Sequence, residues 1–206
     1  MAPESSDGST GRARDATERL LDAAVAAFAE HGFEAATVSD IARRAGLTTG
    51  AIYARWTGKR DLIVDAVRYI APQCMQLSPA NAEASARETL ARVGADLVST
   101  DNLVARGVML EAFVSARRDD SFRAAVSHST EEEAAKLGAI VSSGKAAGSV
   151  KPDLSTNAIV ALYQALSLGM CLVISSQPED SRVPAEEWEA LISSLIEAMS
   201  PQSFPH

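Results

Sequence analysis

Apolar residues recur along this chain at intervals of three and four, with polar residues between them, almost from one end to the other. That spacing gives a helix one packed face and one wet face, and it predicts a succession of α-helices. The first begins near Asp15 and carries Leu20 or Leu21, Ala24, Phe28 and His31 on one stripe. Gly32 stops it, and Phe33 folds back as in a glycine cap with its hydrophobic contact. Residues Thr37 to Lys59 then read as two short helices around a tight turn. Val38, Ile41 and Ala42 fall on one face, while Thr37 with Asp40 three residues on makes a capping box. Gly46 ends this helix, Leu47 plugs the angle, and Thr48 can cap a second helix that turns Ile52 and Trp56 inward. The pair has the pattern of a helix-turn-helix. A fourth stripe, Leu62, Ile63, Ala66, Val67 and Ile70, stops near Pro72. Phe28, Ile41, Leu47, Ile52, Trp56 and Leu62 are the expected core of this small domain.

The segment from Pro72 to Ala82 carries two prolines, a serine and an asparagine and marks a domain boundary. Beyond it the pattern stays helical and contains no convincing strand. Leu90, Val93 and Leu97 define one helix, and Leu103, Leu110, Phe113 and Val114 the next. A long one follows with Phe122, Val126, Leu137, Ile140 and Val141. After the break from Gly148 to Leu154, Ser155 can cap a helix that is apolar nearly all round: Ile159, Leu162, Tyr163, Leu166, Met170, Leu172 and Val173. The last helix, after Pro184, shows Trp188, Leu191, Ile192, Leu195 and Met199. The expected fold class is all-α, with a disordered leader over 1–14, a helix-turn-helix domain over 15–71 and a helical body over 72–206. Arg12 and Arg14 are either a solvated pair at the helix entrance or an arm reaching phosphate or the minor groove.

Composition changes the picture at one point. The chain of 206 residues has a formal charge of −8, which by itself argues against a nucleic-acid partner. Yet residues 35–60 hold Arg43, Arg44, Arg55, Lys59 and Arg60 against Asp40, a local +4 on a remainder of −12. A basic island on an acidic body suits DNA binding through one end only. Cys74 and Cys171 are far apart, with no CxxC and no histidine cluster, so neither a zinc site nor a disulfide framework is expected, and no cofactor. A reducing cytoplasm fits best. The N-terminus lacks the basic start and apolar stretch of a secretory signal. The apolar run from Ala158 to Ile174 is interrupted by Gln164 and Ser167, lies just below a membrane span, and reads as a buried interface helix, not a membrane segment. No nucleotide-binding glycine loop, nucleophile elbow or zinc-protease helix is present, so no enzymatic site is expected.

In residues 16–70 the order of parts, ATERLLDAAVAAFAEHGFEAATVSDIARRAGLTTGAIYARWTGKRDLI, resembles the TetR-type transcriptional regulators, including the glycine after the first helix and the lysine opening the fourth. Beyond residue 75 the resemblance rests on helix order and on the corners RRDDSF and GSVKPDLS. It implies a homodimer whose recognition helices enter successive major grooves of a palindromic operator, with half-sites one helical turn, roughly 34 Å, or a simple multiple apart. Thr48 to Ala54 corresponds to the recognition helix, where Thr48, Thr49, Gly50 and Ala51 are small enough for close approach. Thr37, Tyr53 and Lys59 stand where the family binds phosphate. Ser39, Thr49, Ala51 and Arg55 are candidates for base edges, and Arg55 suits phosphate equally well. Arg43 and Arg44 supply general field or lie on the solvated face. Gly58 replaces the small polar residue usual before Lys59.

The resemblance also assigns the last two helices to a dimeric four-helix bundle, with Leu162, Gly169, Val173, Trp188, Leu191 and Leu195 at the interface. The all-apolar helix agrees, since it needs more covering surface than one chain offers. The middle helices would enclose an effector pocket with Val93, Leu97, Met109, Phe113, Phe122, Tyr163, Leu166 and Met170 as candidate lining. Glu111 would either orient a ligand or pair with an arginine. The expected function is a transcriptional repressor released from its operator by a small apolar ligand. The alternatives are an activator, or a helical dimeric ligand- or protein-binding module without inducer-released repression.

Overall fold

In the computed structural model, backbone is described for residues 7–74 and 84–201, and side chains for 15–74 and 84–201. Residues 75–83, which take in most of the expected boundary segment from Pro72 to Ala82, lie outside the described residues. The elements are α1 (Asp7–Ala35), α2 (Val38–Arg44), α3 (Thr49–Tyr53), α4 (Lys59–Cys74), α5 (Ala86–Ala95), α6 (Leu103–Ala116), α7 (Asp120–Ala146), α8 (Thr156–Ser176) and α9 (Ala185–Met199). Short 3-10 turns occupy Asp96–Val98 and Glu179–Ser181. Among the described residues there is no strand, and the all-α expectation holds.

Two expected boundaries shift. Helix α1 begins at Asp7, so the second half of the expected leader is helical; residues 1–6, and the side chains of Arg12 and Arg14, lie outside the described residues. Helix α4 runs through Pro72 to Cys74. A proline this near a C-terminus removes one backbone hydrogen bond from the last turns and does not interrupt the body of the helix.

The chain divides into two units, one of residues 1–71 and 108–126, the other of residues 72–107 and 127–206. The division passes through α6 and α7, so the expected cut at 71/72 is one of three. In the first unit α1 buries Leu20, Ala24 and Phe28, α2 buries Ile41, and α4 buries Leu62, Val67 and Ile70, all at most 1% exposed. Burying each large side chain of this kind contributes about 1.5–3 kcal/mol. Phe28 meets Phe33 edge-on at 5.3 Å, and Phe33 stacks on Phe122 at the same separation.

In the second unit one core gathers Leu90 and Val93 from α5, Leu137 and Val141 from α7, Ile159 and Tyr163 from α8, and Ile192 and Ile196 from α9. Helices α5 and α9 approach so closely that a Cβ on Gly94 would lie 2.7 Å from Ile192 Cγ2. Trp188 packs on this core and its Nε1 donates to the Gly94 carbonyl at 2.8 Å. Tyr163 donates its hydroxyl to the Leu90 carbonyl at 2.8 Å, and burial pushes its pKa up. Ser155 caps α8 through the Ala158 N–H, as its position suggests.

Among the described residues, Glu133 on α7 is the acid that burial affects most: desolvation, opposed by Lys136, raises its pKa to about 7. An unfolded glutamate loses its proton near 4.5. Between those values the folded chain holds more protons than the unfolded one, so this group makes stability fall as pH rises from about 4.5 through 7. Glu133→Gln should flatten that dependence, which urea unfolding at pH 5 and pH 8 will measure.

Candidate nucleic-acid interface

The helix-turn-helix is set at an angle to α1 by a broken corner. Gly32 adopts φ 74° and ψ 169°, conditions suited to glycine, and ends the regular part of α1. The Phe33 N–H is thereby freed from the helical ladder, and Glu111 Oε1 from α6 accepts it at 2.8 Å. Ala36 N then bonds back to the Gly32 carbonyl, and Thr37 starts α2, its Oγ1 accepting the Asp40 N–H at 3.1 Å. Glu111, a candidate for orienting a ligand or pairing with an arginine, holds this corner through that bond.

Helix α2 ends on Ala45 and on Gly46 at φ 64°, and Leu47 N bonds the Ala42 carbonyl at 2.9 Å. Leu47 is half-buried, less enclosed than its core assignment. Arg19 from α1 closes the turn by donating to the Ala45 carbonyl at 2.5 Å. Thr48 takes the N-cap position of α3 with extended backbone, but its side chain makes no capping bond. The five residues of α3 then separate cleanly. Ile52 is fully buried, while Thr49, Gly50 and Tyr53 are exposed and Ala51 half-exposed. Tyr53 is 60% exposed, which no packing requirement explains. Thr37 and Ser39 on α2 are exposed as well.

The cations are less free than their number suggests. Arg44 bonds Asp40 and Glu30, both at 2.6 Å, and Arg43 pairs with the same Asp40. The Arg44 hydrogen bond, then that of Arg43, holds the Asp40 carboxyl below its ordinary pKa, and Arg44 does the same to Glu30. Arg60 pairs with Asp119, whose pKa it lowers. Lys59 Nζ donates to the carbonyls of Glu34 at 2.8 Å and Ala36 at 3.2 Å, a neutral tether that keeps its charge and leaves one N–H. Arg55 lies on the outer side with Nε donating to Thr17 Oγ1 at 2.9 Å and Nη1 to the Ala51 carbonyl at 2.8 Å, and has no acid partner among the described residues. Trp56 is core, 6% exposed, its Nε1 bonded to Asp65.

The expected pocket residues are drawn from both units. Met109, Glu111, Phe113 and Phe122 belong to the first unit; Val93, Leu97, Tyr163, Leu166 and Met170 belong to the second. Val93 and Leu97 line a cavity of about 80 Å³ within the second unit, together with Arg106, a buried cation not singled out from sequence. A basic residue inside an apolar helical stripe was the available signal. Of the expected interface set, Leu162, Val173, Leu191 and Leu195 are 39–52% exposed on α8 and α9, and Gly169 is half-exposed. Trp188 is half-buried, and its indole Nε1 bonds α5 within the same chain. Helix α8 also reaches 21 residues and holds an 18-residue window of mean hydropathy 2.0, long and apolar enough to cross a membrane by length and composition.

An exposed short helix after a glycine turn, buttressed by α1 and α4, makes this a helix-turn-helix protein with a helical body. Residues 20–66 match the family described as "Bacterial regulatory proteins, tetR family". The HTH-type transcriptional repressor KstR2 of Rhodococcus jostii is 38% identical over 68 residues, 33% of each chain. The chain thus spans about a third of the length of that curated relative. A TetR-family protein from Rhodococcus sp. shares the fold at TM-score 0.77 and 18% identity, over 91% of this chain and 100% of its own. A transcriptional regulator from Saccharomonospora viridis, solved with choline, does so at TM-score 0.73 and 20% identity, over 89% and 96%. Residues 20–66 are thus similar to the tetR family of bacterial regulatory proteins, and the fold of the chain is shared with these solved structures.

Glu111→Ala should leave the Phe33 N–H without its acceptor and lower the stability of the first unit by about 1–3 kcal/mol. Glu111→Gln keeps an acceptor oxygen and should recover most of the loss. Urea unfolding followed through Trp56, in a background where Trp188 is replaced by Phe, will show it.

Proposed function

We propose that the chain is a sequence-specific DNA-binding transcriptional regulator, a homodimer acting in the cytoplasm on a palindromic operator and released from it by a small molecule. The observation that carries this is the division of α3: Ile52 wholly buried, Thr49, Gly50 and Tyr53 turned out to solvent beside Arg55. A five-residue helix contributes little to a core, and its outward residues are of the types that read grooves. Thr37, Tyr53 and Lys59 supply hydroxyl, phenol and ammonium donors to phosphate, which position the protein without specifying sequence. Thr48, Thr49, Gly50 and Ala51 permit close approach, Ser39 and Thr49 offer hydroxyls, and Arg55 offers a fork for guanine. The name of the Rhodococcus relative favours repression.

Dimerisation rests on α8 and α9. Only 28% of the apolar window of α8 is buried within the protomer, and Leu162, Leu191 and Leu195 remain open. A second copy covers such a patch by an isologous contact. A dimer also supplies the two recognition helices that a palindrome needs. The choline complex of a structural neighbour favours a ligand-binding body. The ligand then acts by its difference in affinity between the conformers that do and do not fit the operator.

Selection of bound sequences from a random pool should return an inverted repeat. If only Arg55 and Lys59 of each protomer displace counterions, log K should fall with log salt at a slope of about −4. Were Arg43, Arg44 and Arg60 also freed to bind phosphate, ten cations would bring the slope to about −9. Failure to enrich any sequence would refute DNA recognition and leave the binding-module alternative. In sedimentation the wild type should run as a dimer at micromolar concentration and Leu191→Glu with Leu195→Glu as a folded monomer, since both side chains are about half exposed already. A monomeric wild type removes the interface.

A further inference from the structure

The cavity of the second unit has a chemistry that apolar packing does not account for. Its floor is Cys74, Val93 and Leu97, all buried; Ser99, Asn102 and Arg106 add a hydroxyl, an amide and a guanidinium. Arg106 is only 5% exposed, and no carboxylate pairs with it among the described residues. It donates to the carbonyls of Leu97 at 2.9 Å, Ser99 at 3.3 Å and Asp96 at 3.0 Å, so the 3-10 turn after α5 fixes the guanidinium in place. Those three bonds leave two of the five N–H donors of an arginine unfilled, and Nε is buried without a partner.

Neutral carbonyls orient a guanidinium without cancelling its charge, and a buried charge is costly until an opposite charge meets it. None of the other described lining groups forms an ion pair with it. Burial, reinforced by Glu133, pushes the Cys74 thiol up to about 12, so it stays neutral at physiological pH. Asp96 and Asp101 also line the cavity but are exposed, solvated residues at its edge. Their charge opposes entry of a multiply charged anion and tolerates one carboxylate, more so when a cationic group accompanies it. A planar carboxylate also matches the fork of a guanidinium, as a tetrahedral dianion at an acidic rim does not.

We infer that this cavity binds a small monocarboxylate through Arg106, with Ser99 and Asn102 as polar partners, and that such a carboxylate is the effector of the regulator. The effector assignment rests on the regulatory reading above; the binding site does not. The volume of about 80 Å³ suits a ligand, or the head of one, of only a few heavy atoms.

The test uses the full chain without DNA and four probes at matched ionic strength: acetate, glycine betaine, phosphate and tetramethylammonium. Acetate and betaine should each raise the melting temperature of the wild type saturably, and phosphate and tetramethylammonium should not. Arg106→Met should weaken carboxylate binding at least about tenfold, and Arg106→Lys, which keeps the charge but not the fork, should fall between. In 15N-arginine-labelled protein, the slowly exchanging Nε–H of Arg106, told apart from the likewise buried one of Arg182 by an Arg182→Lys variant, should shift on adding acetate, a reading that survives if the Met variant fails to fold. No saturable carboxylate effect, equal binding by Arg106→Met, an unmoved Nε signal, or stronger binding of phosphate each overturns the site. With a selected operator in hand, saturating carboxylate should change its affinity at least fivefold; an unchanged affinity overturns the effector assignment. A protein that binds carboxylate but no operator refutes the DNA reading instead, and the two failures are told apart.

Discussion

One backbone N–H organises the helix-turn-helix unit. Where Gly32 leaves helical geometry, the Phe33 amide needs a new acceptor, and the acceptor comes from a side chain seventy-eight residues away, Glu111. The bond fixes the direction in which the chain leaves α1, and that direction aims α2 and α3. The Phe33 ring then stacks on Phe122, and Arg60 at the start of α4 pairs with Asp119, so the corner between α6 and α7 is built into the same unit as the first four helices. A buried polar group without a partner costs enough to make such a distant contact decisive.

Electrostatics in this unit follow from pairing, not from the count of charges. Asp40 takes Arg43 and Arg44, Glu30 takes Arg44 a second time, and Asp119 takes Arg60. Two of these acids lie outside the 35–60 segment, so a local sum of charge overstates the field. Arg55 and Lys59 keep theirs, because their partners are hydroxyl and carbonyl oxygens. A weaker, more localised field suits recognition that depends on shape and on a few donors at α3.

The second unit shows the opposite economy. Its core is closed by small and aromatic residues that let helices approach: Gly94 against Ile192, and the hydroxyl of Tyr163 and the indole of Trp188 each finding a carbonyl of α5. What stays open is an apolar strip on α8 and α9 and a charged group inside, Arg106. The first needs an apolar surface to cover it and the second an anion, which are different partners for different parts of one body.

Helix number and order, the glycine turns at Gly32 and Gly46, the caps at Thr37 and Ser155, and the buried set of Phe28, Ile41, Ile52, Trp56 and Leu62 were legible in the amino-acid sequence. They depend on local spacing and local hydrogen bonds, which periodicity and residue type report directly. The outward character of Thr49, Gly50 and Tyr53 was legible for the same reason, as the complement of a packed stripe. The role of Glu111, the neutralisation of Arg43, Arg44 and Arg60, the bond of Trp188 to α5 and the isolation of Arg106 were not. Each depends on which side chain from a distant element arrives within hydrogen-bonding distance, and one sequence carries no signal of that separation. Only the tertiary structure decides it, because a polar or charged group takes its energy from the partner it meets and not from its place in the chain.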